Sequence, residues 1–93
     1  PAVEHDLAIV VDNTVTCEDL ERRITSAGGK LLEGVRLFDV YRDPIRIGAG
    51  KKSMAFALTY RSDDHTLTSE EVEKAHQKIV TKVCKGVNGE VRG

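Results

Sequence analysis

At 93 residues, 40% of them hydrophobic, the chain has material for one compact domain spanning residues 1–93 and none for a large enclosed catalytic chamber. Fourteen Lys and Arg against 15 Asp and Glu leave a formal net charge of −1, which excludes a strongly basic nucleic-acid protein judged on its total. The distribution is uneven: residues 36–61 carry six basic and two acidic groups, whereas residues 1–35 carry three and seven, so the middle third is a basic island.

In chain order, Leu7–Asp12 reads as a strand, and Val15-Thr16-Cys17-Glu18-Asp19-Leu20 reads as a helix start. Thr16 is the predicted N-cap, with Asp19 as a short-armed partner three residues on. Leu20, Ile24 and Ala27 then share a face, and Gly28-Gly29 ends the helix. A second strand is predicted over Gly34–Tyr41, followed by a long hairpin connection, Arg42–Lys52, and a third strand over Ser53–Tyr60. Leu67-Thr68-Ser69-Glu70-Glu71-Val72 repeats the helix-start grammar, this time with a full capping box from Thr68 to Glu71. The helix it opens carries Val72, Ala75, His76, Ile79 and Val83 on one face and is expected to end at Gly86. Asn88–Arg92 is a weak last strand. The order βαββαβ predicts an α+β split sandwich: a four-stranded antiparallel sheet with two helices on one face, strands one and three in the centre and two and four at the edges.

Such a sheet has an open face, and alternation assigns its side chains. In the third strand Met54, Phe56, Leu58 and Tyr60 are the core set, which leaves Ser53, Ala55, Ala57 and Thr59 outward. In the second, Phe38 and Val40 are expected inward, and Leu37, Asp39 and Tyr41 outward. In the first, Leu7, Ile9 and Val11 point inward, and Ala8 and Val10 outward. An acid and a tyrosine therefore project over a shelf of small residues, with the basic hairpin at one end.

This arrangement suits single-stranded RNA. Small residues admit a base close to the sheet, Tyr41 can stack on it, and Asp39 and Ser53 can hydrogen-bond its polar edge. Arg42, Arg46, Lys51 and Lys52 can meet phosphates. A carboxylate only accepts, so it favours a base edge rich in N–H donors, as guanine has. Other chemistry finds less support. Cys17 and Cys84 stand far apart without a CxxC or Cys/His cluster, which indicates neither a disulfide framework nor a zinc site. Gly48-Ala49-Gly50-Lys51-Lys52 lacks the spacing of a phosphate loop and runs into a strand. The outward positions Ser53, Ala55 and Ala57 carry no aromatics of the RNA-recognition-motif kind. A small-molecule-binding or self-associating regulatory module of the same fold stays open as the rival reading. No apolar run approaches the ~20 residues that cross a bilayer, so a soluble, cytoplasmic protein is expected. Opening at Pro1 without an initiator Met, it is expected to be a piece of a longer chain.

Leu37-Phe38-Asp39-Val40-Tyr41-Arg42, Gly50-Lys51-Lys52-Ser53-Met54-Ala55-Phe56, Tyr60-Arg61 and Thr66–Val72 with His76 resemble the ferredoxin-fold anticodon-binding domain. This domain closes the β subunit of bacterial phenylalanyl-tRNA synthetase and also ends the single-chain mitochondrial enzyme. The resemblance covers essentially the whole chain and implies a ferredoxin-like fold that binds the anticodon stem-loop of tRNA(Phe), whose first anticodon base is guanine. By position, Tyr41 would stack on that base, Asp39 and Ser53 would make its polar contacts, and Ala8 would form part of the floor, with Ala55 of the outward shelf also assigned to RNA binding. Arg42, Lys51 and Lys52 would contact the RNA backbone. His5 stands where relatives often have Arg, and the hairpin tip 43–49 departs from the family, so no contact is carried over from Arg46. The resemblance also implies that ATP, Mg²⁺ and phenylalanine bind elsewhere in an α2β2 parent enzyme. This domain would itself have no cofactor and no catalytic residue, and would be monomeric in isolation.

Overall fold

Both helices begin at a threonine whose hydroxyl replaces a missing backbone partner. Helix α2 (Ser69–Val87) has the complete capping box: Thr68 Oγ1 accepts from the Glu71 N–H at 3.1 Å, and Glu71 Oε1 accepts from the Thr68 N–H at 3.0 Å. Helix α1 (Cys17–Gly28) has half of it. Thr16 Oγ1 accepts from the Asp19 N–H at 3.1 Å, but the Asp19 carboxylate is held by Arg22 and Arg23 one turn ahead. One methylene shorter than Glu71, it goes to the nearer guanidinium charges. Gly28 is packed so closely that a Cβ there would lie 2.3 Å from Leu32 Cδ2, and Gly29 caps the helix at φ 64°. Helix α2 runs one residue past the expected Gly86, and Asn88 closes it in the left-handed conformation, φ 52°.

The computed structural model describes residues 1–92. Its strands are β1 (Val3–Asp12), β2 (Leu32–Tyr41), β3 (Lys51–Tyr60) and the two-residue β4 (Glu90–Val91), with a single π turn (Pro44–Gly48) between β2 and β3. The sheet order is β2-β3-β1-β4, antiparallel throughout, with β1 and β3 paired along ten residues from Val3↔Tyr60 to Asp12↔Lys51. This is the ferredoxin-like α+β arrangement, with both helices against one sheet face. The core lies between layers: Leu7, Ile9 and Val11 from β1, Met54, Phe56, Leu58 and Tyr60 from β3, Leu20 and Ile24 from α1, Val72, Ile79 and Val83 from α2.

Strand β2 departs from simple alternation. Leu37 pairs with Phe56 and Asp39 with Ala55, so Phe38 is an extra residue, a β-bulge. Val35 and Leu37 consequently pack on the core, where Leu37 was expected outward; Phe38, expected inward, is 49% exposed, and Val40 beside Met54 is 37% exposed. This inserted residue, with a second register irregularity between Leu32 and Gly34, reverses the phase of residues 34–37 and leaves Asp39 and Tyr41 on the open face.

Candidate nucleic-acid interface

Strand register lays the candidate residues out in rows across the open face. Tyr41 pairs with Ser53, Ser53 with Val10 and Val10 with Glu90. In the next row Asp39 pairs with Ala55 and Ala55 with Ala8, and the Arg92 N–H donates to the Ala8 carbonyl at 2.9 Å. With neighbouring strands about 4.8 Å apart, Asp39, Tyr41, Ser53, Ala55 and Ala8 form one continuous patch.

Within the patch the side chains differ in access. Asp39 is exposed and, among the described residues, its carboxylate has no hydrogen-bond partner within the fold. Ala8 and Ala55 are half-buried. Ser53 is only 2% exposed, lying between Tyr41 and Val10 in its row. The Tyr41 ring is half-buried, and the Arg92 guanidinium lies over it, 4.6 Å from the centroid. Its hydroxyl donates to Asp43 Oδ2 at 3.0 Å. That hydrogen bond pushes the Tyr41 phenol above its ordinary value, loss of solvent and the Asp43 charge add to it, and the Arg92 and Arg46 guanidiniums oppose it. Asp43 is held below the usual carboxylate range, chiefly by the backbone N–H groups of Arg46 and Ile45 and then by the phenol.

The basic residues divide between the two faces. Lys51 alternates with Ser53 onto the open face and ion-pairs there with Asp12, Nζ to Oδ1 at 3.3 Å. Arg42 is exposed at the end of β2, with Nε donating to Asn13 Oδ1 at 3.1 Å. Lys52 is elsewhere. It pairs with Val11 in a core-facing row, is 7% exposed, and its Nζ donates to the Asn13 carbonyl at 3.0 Å. A phosphate contact from Lys52 is not what this placement offers, because the same period-2 alternation that turns Lys51 out turns Lys52 in.

Two residues enter the site that sequence reasoning passed over. Asp43 had a signal, an Asp before Pro44 at the opening of a turn, where its side chain can accept backbone N–H groups. Arg92 had none: its place beside Ala8 depends on the register of a two-residue strand.

Away from the patch, Cys17 and Cys84 are free thiols, both raised above their ordinary value chiefly by burial. Among the described residues, no group of three His, Cys, Asp or Glu side chains is placed to hold a metal ion, and no helix is long and apolar enough to cross a membrane.

The ferredoxin-fold anticodon binding domain, as a family, matches residues 1–92 of this sequence. The chain belongs to that family. It is 46% identical over 92 residues to the phenylalanine–tRNA ligase β subunit of Clostridium tetani, covering 99% of this chain and 12% of that protein. To the β subunit of Symbiobacterium thermophilum it is 48% identical over 92 residues, again 99% of this chain and 10% of the relative. To that of Bacillus subtilis it is 51% identical over 80 residues, 86% of this chain and 10% of the relative. This anticodon-binding domain thus spans about a tenth of the length of the relatives it matches.

Proposed function

We propose that this domain binds the anticodon loop of tRNA(Phe) as part of the β subunit of a cytoplasmic phenylalanine–tRNA ligase. Its task is to hold the tRNA so that the acceptor end reaches an active site elsewhere in an α2β2 enzyme. ATP and Mg²⁺ act at that distant site. The contribution here is orientation: binding energy at the anticodon makes a remote reaction effectively intramolecular.

The observation that carries this reading is the coincidence of Asp39, Tyr41, Ser53, Ala55 and Ala8 on one face across three strands. A guanine ring stacks on Tyr41 while Asp39 accepts from its N–H edge, and the alanines allow close approach. In the free domain the Arg92 guanidinium, flat and cationic, holds the place of the base over the Tyr41 ring. Entry of the base moves Arg92 aside and frees its charge for a phosphate. Arg42, Arg46 and Lys51 supply further phosphate contacts; Lys52 supports the fold from the other face.

The test is an NMR titration of the labelled chain with an anticodon stem-loop carrying GAA, beside one with its first base changed. Shifts at Ala8, Asp39, Tyr41 and Ser53 that weaken with the altered loop are expected. Equal responses confined to the basic hairpin would show that the sheet does not read the base.

A further inference from the structure

The turn that follows β2 is built around one carboxylate. Asp43 Oδ1 accepts from the N–H groups of Ile45 and Arg46, each at 3.0 Å, while Oδ2 accepts the Tyr41 hydroxyl at 3.0 Å. The Asp43 carbonyl closes the same turn, accepting from Ile47 N–H at 2.8 Å and Gly48 N–H at 3.1 Å. The two oxygens of a single side chain therefore tie together a ring on the sheet and a loop beyond its end. The loop so held presents Pro44, Arg46 and Ile45 to solvent, Ile45 at 95% exposure.

We propose that Asp43 is the positioning residue of the base-stacking tyrosine, tying the far end of the Tyr41 ring and the hairpin that carries Ile45 and Arg46 into one rigid unit. The inference rests on the anticodon reading and deepens it. A ring anchored only at its Cβ swings about χ1; hydrogen-bonded at its far end it keeps the direction of its axis, the Arg92 guanidinium lies against its face, and part of the ordering entropy of stacking is met before the RNA arrives. Because the same carboxylate orients the Arg46 amide, the arginine is presented at the phenol end of that ring. There its charge, with that of Arg92 over the face, opposes the effect of Asp43 on the hydroxyl. A base on Tyr41 and the phosphate beside it then meet groups whose separation is set in advance. Asp39, two residues earlier on the same face, is left free to read the base edge. The two acids thus have different tasks: Asp39 faces the ligand and Asp43 holds the ring.

The experiment compares Asp43→Ala and Asp43→Asn with the unaltered chain, using the GAA stem-loop as probe and the tyrosine ring ¹³Cζ signals across a pH titration. Tyr60 is pushed up to about 12, and the Tyr41→Phe chain, which lacks one of the two tyrosine signals, assigns the other. Asn still accepts from the Ile45 and Arg46 amides, whereas Ala does not. Both variants are expected to lower the Tyr41 titration point; only Ala should shift the Ile45 and Arg46 amide signals. Stem-loop affinity should fall about fivefold or more in Ala and less in Asn, the scale of one lost hydrogen bond. If Tyr41→Ala weakens binding while Asp43→Ala leaves either the affinity or the Tyr41 titration unchanged, the positioning role is wrong. If Tyr41→Ala itself leaves binding unchanged, the anticodon reading fails, and the role proposed for Asp43 fails with it.

Discussion

Leu37 and Asp39, two positions apart in one strand, face opposite sides of the sheet: Leu37 pairs with core-facing Phe56, and Asp39 pairs with Ala55 on the open face. The extra residue between them, Phe38, makes this so, and it is the reason that an apolar core strand can end in a polar recognition patch. Leu37→Ala is therefore expected to cost about 1–2 kcal/mol as a half-buried core truncation, and Phe38→Ala under about 1 kcal/mol as a half-exposed one. Urea denaturation of both variants checks the order. A larger loss from Phe38 would mean that the bulge does not place it as described.

Removing the Tyr41 ring should weaken stem-loop binding by about 1–3 kcal/mol, the usual worth of one base–aromatic stack. Tyr41→Phe keeps the stack and loses the Asp43 hydrogen bond, so its affinity should lie between those of the unaltered chain and Tyr41→Ala. Isothermal titration with the GAA stem-loop ranks the three. Equal affinities for Phe and Ala would assign the effect to the hydroxyl and not to stacking.

Salt dependence separates the two adjacent lysines. If Arg42, Arg46, Lys51 and Arg92 each neutralise a phosphate, log K against log[salt] should have a slope of roughly −3, at about −0.7 per contact on single-stranded RNA. Arg92→Gln and Lys51→Gln should each flatten it by about 0.7. Lys52→Met should leave the slope unchanged and lower the stability of the fold, since its ammonium binds the Asn13 carbonyl from a buried position. A flattened slope from the Lys52 variant would contradict its placement.

On the helix side, the Tyr60 hydroxyl lies 2.8 Å from His76 Nδ1, and the His5 ring stands 4.1 Å from that of His76. Burial, then the His5 charge, lowers the His76 value from its ordinary 6.5, and a neutral ring can accept the Tyr60 proton. Below about pH 6.5 the unfolded chain takes up a proton that the folded chain resists, so this contribution to stability is full above that pH and is lost as pH falls through the lower folded value. His65 acts in the opposite sense. Glu71 first and Asp64 second raise it, so its contribution is full below the ordinary value and is lost as pH rises through the folded one. Melting temperatures between pH 5 and 8 should therefore rise more steeply with pH in His65→Ala, where the opposing group is gone, and less steeply in His76→Gln. An unchanged profile in His76→Gln would show that His76 does not titrate differently on folding. Tyr60 adds a loss at the alkaline end, between about pH 10 and about 12, because burial pushes its phenol up to about 12.

The parts of this protein legible from its sequence are those that physics decides locally. Thr16 and Thr68 marked both helix starts because capping needs only neighbouring residues, and the alternation of β3 separated Met54, Phe56, Leu58 and Tyr60 from Ser53 and Ala55 because a strand has period 2. The apolar residues Val35, Leu37 and Val40 also carried the change of phase at Phe38, but a bulge becomes certain only against its partner strand. Tertiary structure alone decided the rest. It set Arg92 over Tyr41, reaching from the far edge of the sheet. It also supplied the Asn13 carbonyl as the partner of the inward Lys52 and joined Tyr41 to the hairpin through Asp43. The Arg92 and Lys52 contacts depend on register and on which groups meet across strands, and the Tyr41–Asp43 contact on the path of the turn after β2, none of which the alternation of one strand encodes.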